Sequence, residues 1–116
     1  MTDNDTTVAA LRKRIAEFVH QRDWEQFHDP KNLSASIAIE AAELMEHFQW
    51  IHSDRLAEVR ADPQAMAQVG EELADVVAFV LSFANAMDID ISAALIAKLK
   101  KNEAKYPVAT YYGRFK

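Results

Sequence analysis

Two pairs of acidic residues stand inside helical segments that are otherwise mostly apolar. Glu40 and Glu43 lie in the segment IAIEAAELM, and Glu72 and Asp75 lie in the segment VGEELADVV. A spacing of three residues puts both carboxylates of a pair on one face of a helix. If the two faces turn toward each other, four carboxylates meet at one point, which is too costly away from bulk water unless a hard cation lies among the oxygens. The pattern therefore predicts a metal site between two helices.

A second interpretation is that these acids only solvate helix surfaces. Such a face usually carries a basic residue four positions after each acid, where it forms an ion pair along the helix. The residues at those positions are Leu44, His47, Val76 and Phe79. Phe79 and Phe83 also continue the acidic face of the second segment, so that face is expected to be buried further along. The metal-site interpretation is therefore favoured.

The chain is predicted to be a single all-α domain spanning residues 1–116. Half of its residues are hydrophobic, and it contains only two Gly and three Pro. Its length supports one hydrophobic core without disulfides. Helical periodicity extends over about 7–22, 34–50, 63–87 and 90–106. We therefore expect a four-helix bundle with a helical core over about 7–106 and an irregular tail over 107–116.

Capping residues predict where these helices begin. Asp62 followed by Pro63 is a strong start signal for the third helix, because proline fits the first helical position. Candidate caps are Ser34 or Ser36 for the second helix and Asp90 or Ser92 for the fourth. Residues 23–32 show no period and contain Asp-Pro, so an irregular loop is expected there. Residues 53–60 are expected to form a short helix or an ordered loop.

The composition also bears on location. The chain has no cysteine, which excludes a disulfide framework or a thiolate metal site and suits a reducing cytoplasm. The first residues, MTDND, are polar and acidic, unlike a secretory or mitochondrial signal. No apolar run approaches the length of a membrane span. We therefore expect a cytoplasmic protein that does not bind a membrane.

The C-terminal part of the chain is basic, whereas the rest is acidic. The net charge is −5, but from Lys98 onward there are six basic residues and one acid. This distribution makes a poor binder of nucleic acid polymers and suits a small phosphorylated ligand that a metal bridges to carboxylates. Lys98, Asn102 and Lys105 form one polar stripe on the last helix. Taken alone, the stripe is more typical of a solvated helix end that the helix dipole favours.

The ligand types indicate which metal to expect. All the candidate ligands are carboxylates, which favour Mg²⁺ or Mn²⁺. A di-iron bundle would need Glu-x-x-His, whereas His47 lies four residues after Glu43. Magnesium held by carboxylates usually completes its coordination with water and substrate phosphates, which suits phosphoryl chemistry. Because the chain has no Gly-rich phosphate loop, side chains of the last helix would have to hold the phosphates.

The order of these motifs resembles a known family. Glu40-x-x-Glu43 is followed after 28 residues by Glu72-x-x-Asp75, and then by Lys98-x-x-x-Asn102-x-x-Lys105-Tyr106-Pro107. This order resembles the all-α nucleotide pyrophosphohydrolases of the MazG type. The segments RDWEQFHDPKNL, residues 22–33, and FQW, residues 48–50, are similar to the dCTP pyrophosphatase branch. The similarity covers roughly residues 11–107.

The resemblance implies Mg²⁺-dependent hydrolysis of a nucleoside triphosphate to the monophosphate and pyrophosphate. The residues that it implies as metal ligands are Glu40, Glu43, Glu72 and Asp75. Among these we expect Glu43 to activate the attacking water. The residues implied around the base are Trp24, Phe27, His28 and Trp50, and those implied near the phosphates or sugar are Lys98, Asn102, Lys105 and Tyr106.

The sequence leaves more than one possibility for the preferred base and for the reaction. Ile15 stands where dCTP-type relatives tend to have His, and Phe79 where they tend to have Tyr, so two polar groups that could face the nucleotide are lost. The first expectation is dCTP or a modified pyrimidine deoxynucleotide, and the alternative is dUTP or a broad range. A phosphoribosyl-ATP pyrophosphohydrolase has similar acids, but the aromatic loop favours a nucleobase pocket. A non-catalytic metal-binding helical module would not explain Trp24, Trp50 and Lys98 together.

The third helix predicts an oligomer. Residues 76–84 contain a single polar residue, Ser82. A helix that is apolar on every side must be buried on every side, and the other helices of one short chain cannot cover all of it. We therefore expect a homodimer. The resemblance also allows a homotetramer in which a neighbouring chain completes the nucleotide pocket.

Overall fold

The structure, a computed structural model, describes residues 1–114; Phe115 and Lys116, the last residues of the predicted tail, lie outside the described residues. The described part is all-α, as predicted. Its helices are α1 (Val8–Gln21), α2 (Pro30–Glu46), α3 (Leu56–Ala61), α4 (Pro63–Met87), α5 (Ile91–Lys105) and α6 (Val108–Tyr111), with 3₁₀ turns at Glu25–Phe27 and Ser53–Arg55. The four longest correspond to the predicted helices, but the described residues form six α-helices, so the predicted four-helix count is not confirmed. The prediction of an irregular tail over 107–116 is wrong at α6, which forms a single helical turn there.

All four long helices begin at capping side chains that accept backbone N–H hydrogen bonds. Thr7 caps α1, Asp62 caps α4, and Asp90 caps α5, all at predicted starts. The predicted start of α2 is wrong, because Asp29 is its cap and Pro30 its first residue. The carboxylate of Asp29 accepts the backbone N–H three residues on at 2.8 Å. This is the same Asp-Pro signal that marks α4, so it should have outweighed the loop-like composition of residues 23–32.

The C-terminal ends of α1 and α4 share one closing motif. Asp23 and Asp88 follow these helices with φ of 54° and 52°, in the left-handed region. A short polar side chain tolerates this conformation better than most. After α1, the N–H of Trp24 donates to the carbonyl of Val19 at 3.0 Å, which is the 6→1 hydrogen bond of a Schellman motif. The turn brings Trp24 back onto α1, where its ring meets Phe18 edge-on at 5.7 Å.

The central helix is α4, against which α2 packs most extensively and α1 packs second. Just before α2, the ring of His28 lies 6.3 Å from that of Phe79 on α4. Further along α2, Glu40 approaches Glu72, which lies earlier on α4. The two helices therefore run antiparallel. This direction puts the acidic face of α2 opposite the acidic face of α4.

A pair of polar side chains joins α1 to the end of α4. Nε of Arg12 donates to Oδ1 of Asn85 at 2.9 Å, and its Nη1 donates to the carbonyl of Ile89 at 2.7 Å. Nδ2 of Asn85 donates back to the carbonyl of Arg12 at 3.1 Å. These bonds satisfy backbone groups near the helix end and hold α1 at a fixed register along α4.

The core of the single chain is small. Its buried hydrophobic residues are Val19, Leu33, Leu81 and Ala84. On α4, Leu73 is 51% exposed, and Val77, within the apolar stretch 76–84, is 42% exposed. Helix α5 is bent by 102° from α4 and does not pack closely on the other helices. The radius of gyration is 17.3 Å, against about 13 Å for a compact domain of this size.

Within residues 1–114, no single helix has both the length and the apolar character needed to cross a membrane. By length and composition alone, the bent pair of α4 and α5 passes that test together.

Candidate active site

Three carboxylates meet between α2 and α4. One oxygen from each of Glu40, Glu43 and Glu72 lies within 4.8 Å of the others. Glu40 and Glu43 share a face because they are three residues apart on α2, and the antiparallel packing of α4 brings Glu72 to them. The predicted convergence of acids from the two helices is thus present in one chain, with three of the four at this spacing.

The cluster lacks the partners that buried carboxylates need. Oε2 of Glu40 and Oε2 of Glu72 are buried, and neither has a hydrogen-bond partner among the described residues. A buried acceptor without a partner is costly, and buried charges in folded proteins are normally paired or bound to metal. The oxygen-only donor set suits a hard divalent cation. The cluster therefore fits a divalent metal ion.

Burial and crowding raise the pKa of two of these acids, Glu40 and Glu72. Burial, followed by the neighbouring carboxyl group of Glu43, raises the pKa of Glu40 from 4.5 to about 6. Burial also raises the pKa of Glu72, and the charge of Glu43 adds to the effect. Asp75 contributes to both shifts, so its charge is felt at the cluster although its oxygens lie outside the tight group. A bound cation would reverse this disfavoured accumulation of negative charge.

A cavity of about 410 Å³ opens beside Asp75. Its wall includes Trp24 and His28 from the connection between α1 and α2, and Ile15 from α1. Phe79, one turn after Asp75 on α4, completes the aromatic part of the wall. The cavity is thus acidic at one end and aromatic along its length. The cavity can hold a planar, partly apolar group whose negatively charged end points toward a cation bound by the carboxylates.

Two of the predicted base-side aromatics lie away from this cavity in the single chain. Phe27 is 58% exposed in its 3₁₀ turn. Trp50 is 87% exposed and lines a separate cavity of about 230 Å³ with Arg55 and Glu58. The structure therefore brings Trp24 and His28 to the acids and leaves Trp50 beside another surface.

The predicted phosphate-side residues are also separated from the acids in one chain. Lys98, Asn102 and Lys105 lie on α5, which stands apart from α2 and α4. Tyr106 follows this helix, where its ring meets Tyr111 edge-on at 5.2 Å and Nζ of Lys105 lies 5.3 Å from it. Asn102 is half-buried, whereas the other three are exposed. In this chain the four residues therefore belong to an element that does not pack closely on the helices carrying the acids.

The arrangement was then compared with known proteins. A model of the MazG-like family matches residues 35–114, which include the acidic pairs on α2 and α4. The chain belongs to the MazG-like family.

Relatives of this MazG-like chain include dCTP pyrophosphatase 1 from two mammals. The Rattus norvegicus protein is 36% identical over 104 residues, which cover 90% of this chain and 61% of that protein. The Homo sapiens protein is 35% identical over 103 residues, covering 89% and 61% respectively. The chain thus spans about three fifths of the length of these relatives. The resemblance to the MazG type and its dCTP pyrophosphatase branch is confirmed.

A solved structure shares the fold of this MazG-like chain. The crystal structure of a pyrophosphatase from Archaeoglobus fulgidus matches it with a TM-score of 0.81 and 38% sequence identity. The match covers 92% of this chain and 98% of that one. This chain therefore shares its overall fold with that protein over nearly the whole length of both.

The structure adds two polar residues to the cavity wall that the sequence did not assign to the site. Arg14 on α1 lines its edge, and Ser82 on α4 lines its depth. Ser82 carried a signal, because it is the only polar residue in the apolar stretch 76–84. Arg14 carried none, since charged residues on an exposed helix face are common.

Proposed function

We propose that this protein hydrolyses a nucleoside triphosphate to the monophosphate and pyrophosphate, with Mg²⁺ or Mn²⁺ as cofactor. The observation that carries the proposal is the pair of partnerless buried oxygens on Glu40 and Glu72, next to a cavity with an aromatic wall. The dCTP pyrophosphatase 1 relatives support dCTP or a modified pyrimidine deoxynucleotide as the first substrate to test. A cytoplasmic location goes with this proposal.

The metal ligands in this proposal are Glu40, Glu43, Glu72 and Asp75. When bound, the ion would neutralise the phosphate charges and stabilise the negative charge of the leaving pyrophosphate. The clustered acids of the chain cannot approach a triphosphate by themselves, because like charges repel at this range. The fit of the carboxylate cluster to a hard cation supports this assignment.

The chain's own chemical step is the activation of water. Glu43 neighbours both Glu40 and Glu72, so one of its oxygens can accept a proton from water at the edge of the cluster. The water oxygen then forms a bond to the α-phosphorus as the bond from that phosphorus to the β-phosphate bridging oxygen breaks. Pyrophosphate leaves with the bonding electron pair, and the proton stays on Glu43 until it passes to solvent.

Substrate binding in this proposal uses residues of two chains. Trp24 and His28 contact the base in the chain that holds the acids, with Phe27 at the mouth of that pocket. A neighbouring subunit supplies Trp50 to the base and the stripe of α5 to the phosphates and sugar, namely Lys98, Asn102, Lys105 and Tyr106. The exposed apolar side of α5 supports such packing in a homodimer or homotetramer.

A panel of nucleoside triphosphates tests the proposal. Purified protein is incubated with dCTP, 5-methyl-dCTP, dUTP, dTTP and dATP, with Mg²⁺ or Mn²⁺ and with chelator. We expect metal-dependent release of monophosphate and pyrophosphate from at least one pyrimidine. Diphosphate with orthophosphate would mean attack at the γ-phosphorus and would contradict the proposed placement of the phosphates.

The Glu43→Gln variant provides the matched test of the site. Loss of residues that merely support metal ligands costs about 10–100-fold in activity or metal affinity, so removal of Glu43 itself should cost at least about 100-fold in kcat/KM. Glu46→Gln, an exposed acid on the same helix, is the control and should behave like the wild type. Equal activity of Glu43→Gln and the wild type would reject the assignment.

A further inference from the structure

Ser82 is the one polar residue that is buried among residues 1–114, with 6% of its surface exposed. Serine hydroxyls inside helices commonly donate to a carbonyl of the preceding turn. Ser34 on α2 does so, since its hydroxyl lies 2.8 Å from the carbonyl of Lys31. Within the described residues the Ser82 hydroxyl forms no such bond, and the residue borders open space inside the chain.

That open space is a pair of adjoining cavities. The cavity of about 410 Å³ beside Asp75 adjoins a second cavity of about 510 Å³ toward the end of α4. The walls of both include Ile15, Val19, His28 and Ser82. Ser82 thus lies where the two cavities meet, at the far end of the aromatic pocket from the carboxylates. A buried polar group at the inner end of a mostly apolar pocket is the usual means of fixing a ligand's orientation.

Most other polar groups around these cavities are already engaged. Asn85 is bound twice to Arg12. Nδ1 of His20 lies 3.0 Å from the carboxylate of Glu25. His28 remains available beside Ser82, because its ring makes only the aromatic contact with Phe79 among the described residues. A ligand that reaches the junction of the cavities therefore finds two polar groups able to bond to it.

The register of α4 relates Ser82 to the metal-binding acids. Asp75, Phe79 and Ser82 are spaced by four and three residues, so they lie on one face of the helix. At 1.5 Å per residue, Ser82 lies about 10 Å along the axis from Asp75. A nucleotide with its phosphates at the acids and its ring against Phe79 would point the polar edge of the base toward Ser82.

We propose that Ser82 is a specificity-determining residue, whose hydroxyl hydrogen-bonds the polar edge of a pyrimidine base. The inference rests on the proposed nucleotide hydrolysis and deepens it by assigning a residue that selects the base. Stacking against Trp24 and Phe79 accepts any base, because every base has a π-face. Selection needs a polar contact, and a site built to hydrogen-bond a substrate group discriminates against analogues that leave its polar group unpaired.

The test compares Ser82→Ala with wild type on the same nucleoside triphosphate panel. A substrate group left unpaired in a buried site costs about 1–3 kcal/mol, and 1.4 kcal/mol is tenfold. We expect the ratio of kcat/KM between the best base and the second-best to fall by about 10-fold. Ser82→Cys keeps a side chain of similar shape with a weak hydrogen-bonding group, and should give a similar fall. Ser36→Ala, a half-buried serine on α2 outside both cavity walls, is the control and should keep the wild-type ratio.

A second readout separates base recognition from hydrolysis. Binding of the pyrimidine nucleoside monophosphates is measured by calorimetry without metal, and the Ser82 variants should lose preference among the bases there as well. An unchanged ratio in both assays, or an equal loss for every base, would overturn the role of Ser82 while leaving the hydrolytic function intact. A wild-type protein that hydrolyses no triphosphate with either metal would reject the proposed function itself and the role of Ser82 with it.

Discussion

Glu40 shows how strongly a single residue can depend on what binds next to it. Its Oε2 is buried without a partner, and its pKa is raised to about 6 by burial and by the nearby carboxyl of Glu43. Ionised Glu40 is therefore disfavoured in the metal-free folded chain relative to the unfolded chain. Glu40 therefore occupies a position that weakens the metal-free fold, which is typical of residues that serve binding or catalysis.

The first prediction is a pH dependence of metal-free stability. Because the pKa of Glu40 rises from 4.5 in the unfolded chain to about 6 in the folded one, the folded state binds more protons between those values. Stability should therefore fall as pH rises through this window, and Glu72, whose pKa is also raised, should act in the same direction. Thermal unfolding with chelator from pH 4.5 to 7.5 should show this fall, reduced in Glu40→Gln. Glu46→Gln is the control, and an equal fall in Glu40→Gln would contradict the prediction.

Trp24 is the second residue whose role can be tested alone. Its ring lines the cavity next to Asp75 and meets Phe18 edge-on, so it can stack on a base or simply pack against α1. If it stacks, Trp24→Ala should weaken substrate binding by about 1–3 kcal/mol for every accepted base. Trp24→Phe should retain much of the binding, because it keeps an aromatic face. An unchanged KM in Trp24→Ala would mean that the ring is a structural plug.

At the level of elements, α2 shows why local composition misleads. Asp29 and Pro30 form a helix start, yet they lie in a segment with two large aromatics and no hydrophobic period. The earlier start adds a turn to α2 and brings Leu33 into the helix, where it is 1% exposed and thus the most buried residue of the core. The cap also sets where His28 stands relative to α4, so helix initiation and the cavity wall are linked.

The third prediction distinguishes the two candidate starts of α2. Asp29→Ala removes the carboxylate that accepts the backbone N–H of Asn32 at 2.8 Å. It should lower the free energy of unfolding by about 0.5–2 kcal/mol. Ser34→Ala removes only a hydroxyl bonded within the first turns and should change stability by less than about 0.5 kcal/mol. Urea unfolding followed by circular dichroism measures both, and the reverse order of effects would restore Ser34 as the cap.

At the level of the whole molecule, the chain is open, and α5 does not pack closely on the other helices. Helix α5 exposes Leu95, Ile96 and Leu99 by 57%, 55% and 44%. Its polar stripe, which suits phosphates, lies on a helix that does not pack closely on α2 or α4, which carry the carboxylates. A second copy that covers the apolar side of α5 would bury the hydrophobic surface and bring the stripe to a cluster of acids in one step.

The fourth prediction is an oligomer in which two chains share each site. Light scattering at micromolar concentration should give a dimer or tetramer, and replacing both Leu95 and Leu99 with Glu should release an inactive monomer that remains helical. A stable wild-type monomer with full activity would contradict the shared site.

Mixing inactive subunits tests the sharing directly. Glu72→Gln mixed with Asn102→Ala leaves one intact site per mixed dimer, so about a quarter of the wild-type activity should return. Glu72→Gln mixed with Glu43→Gln is the control and should not recover, because both acids belong to the cluster of a single chain. No recovery with Asn102→Ala, in oligomers verified as mixed, would place the whole site in one chain.

The sequence by itself determined the features that depend on near neighbours along the chain. Helical period, the caps at Asp62 and Asp90, and the acidic pairs three residues apart all follow from local geometry, and each could be predicted. The family order of motifs extended this to the candidate site. Only the tertiary structure decided which distant residues meet. It places Trp24 and Ser82 in the wall of the cavity beside the acids, and it leaves Trp50 and α5 outside that cavity. It also leaves one buried carboxylate oxygen of Glu40 and one of Glu72 without hydrogen-bond partners. These outcomes depend on the direction and register of α1 and α2 along α4, which contacts between residues far apart in the chain establish and no local pattern encodes.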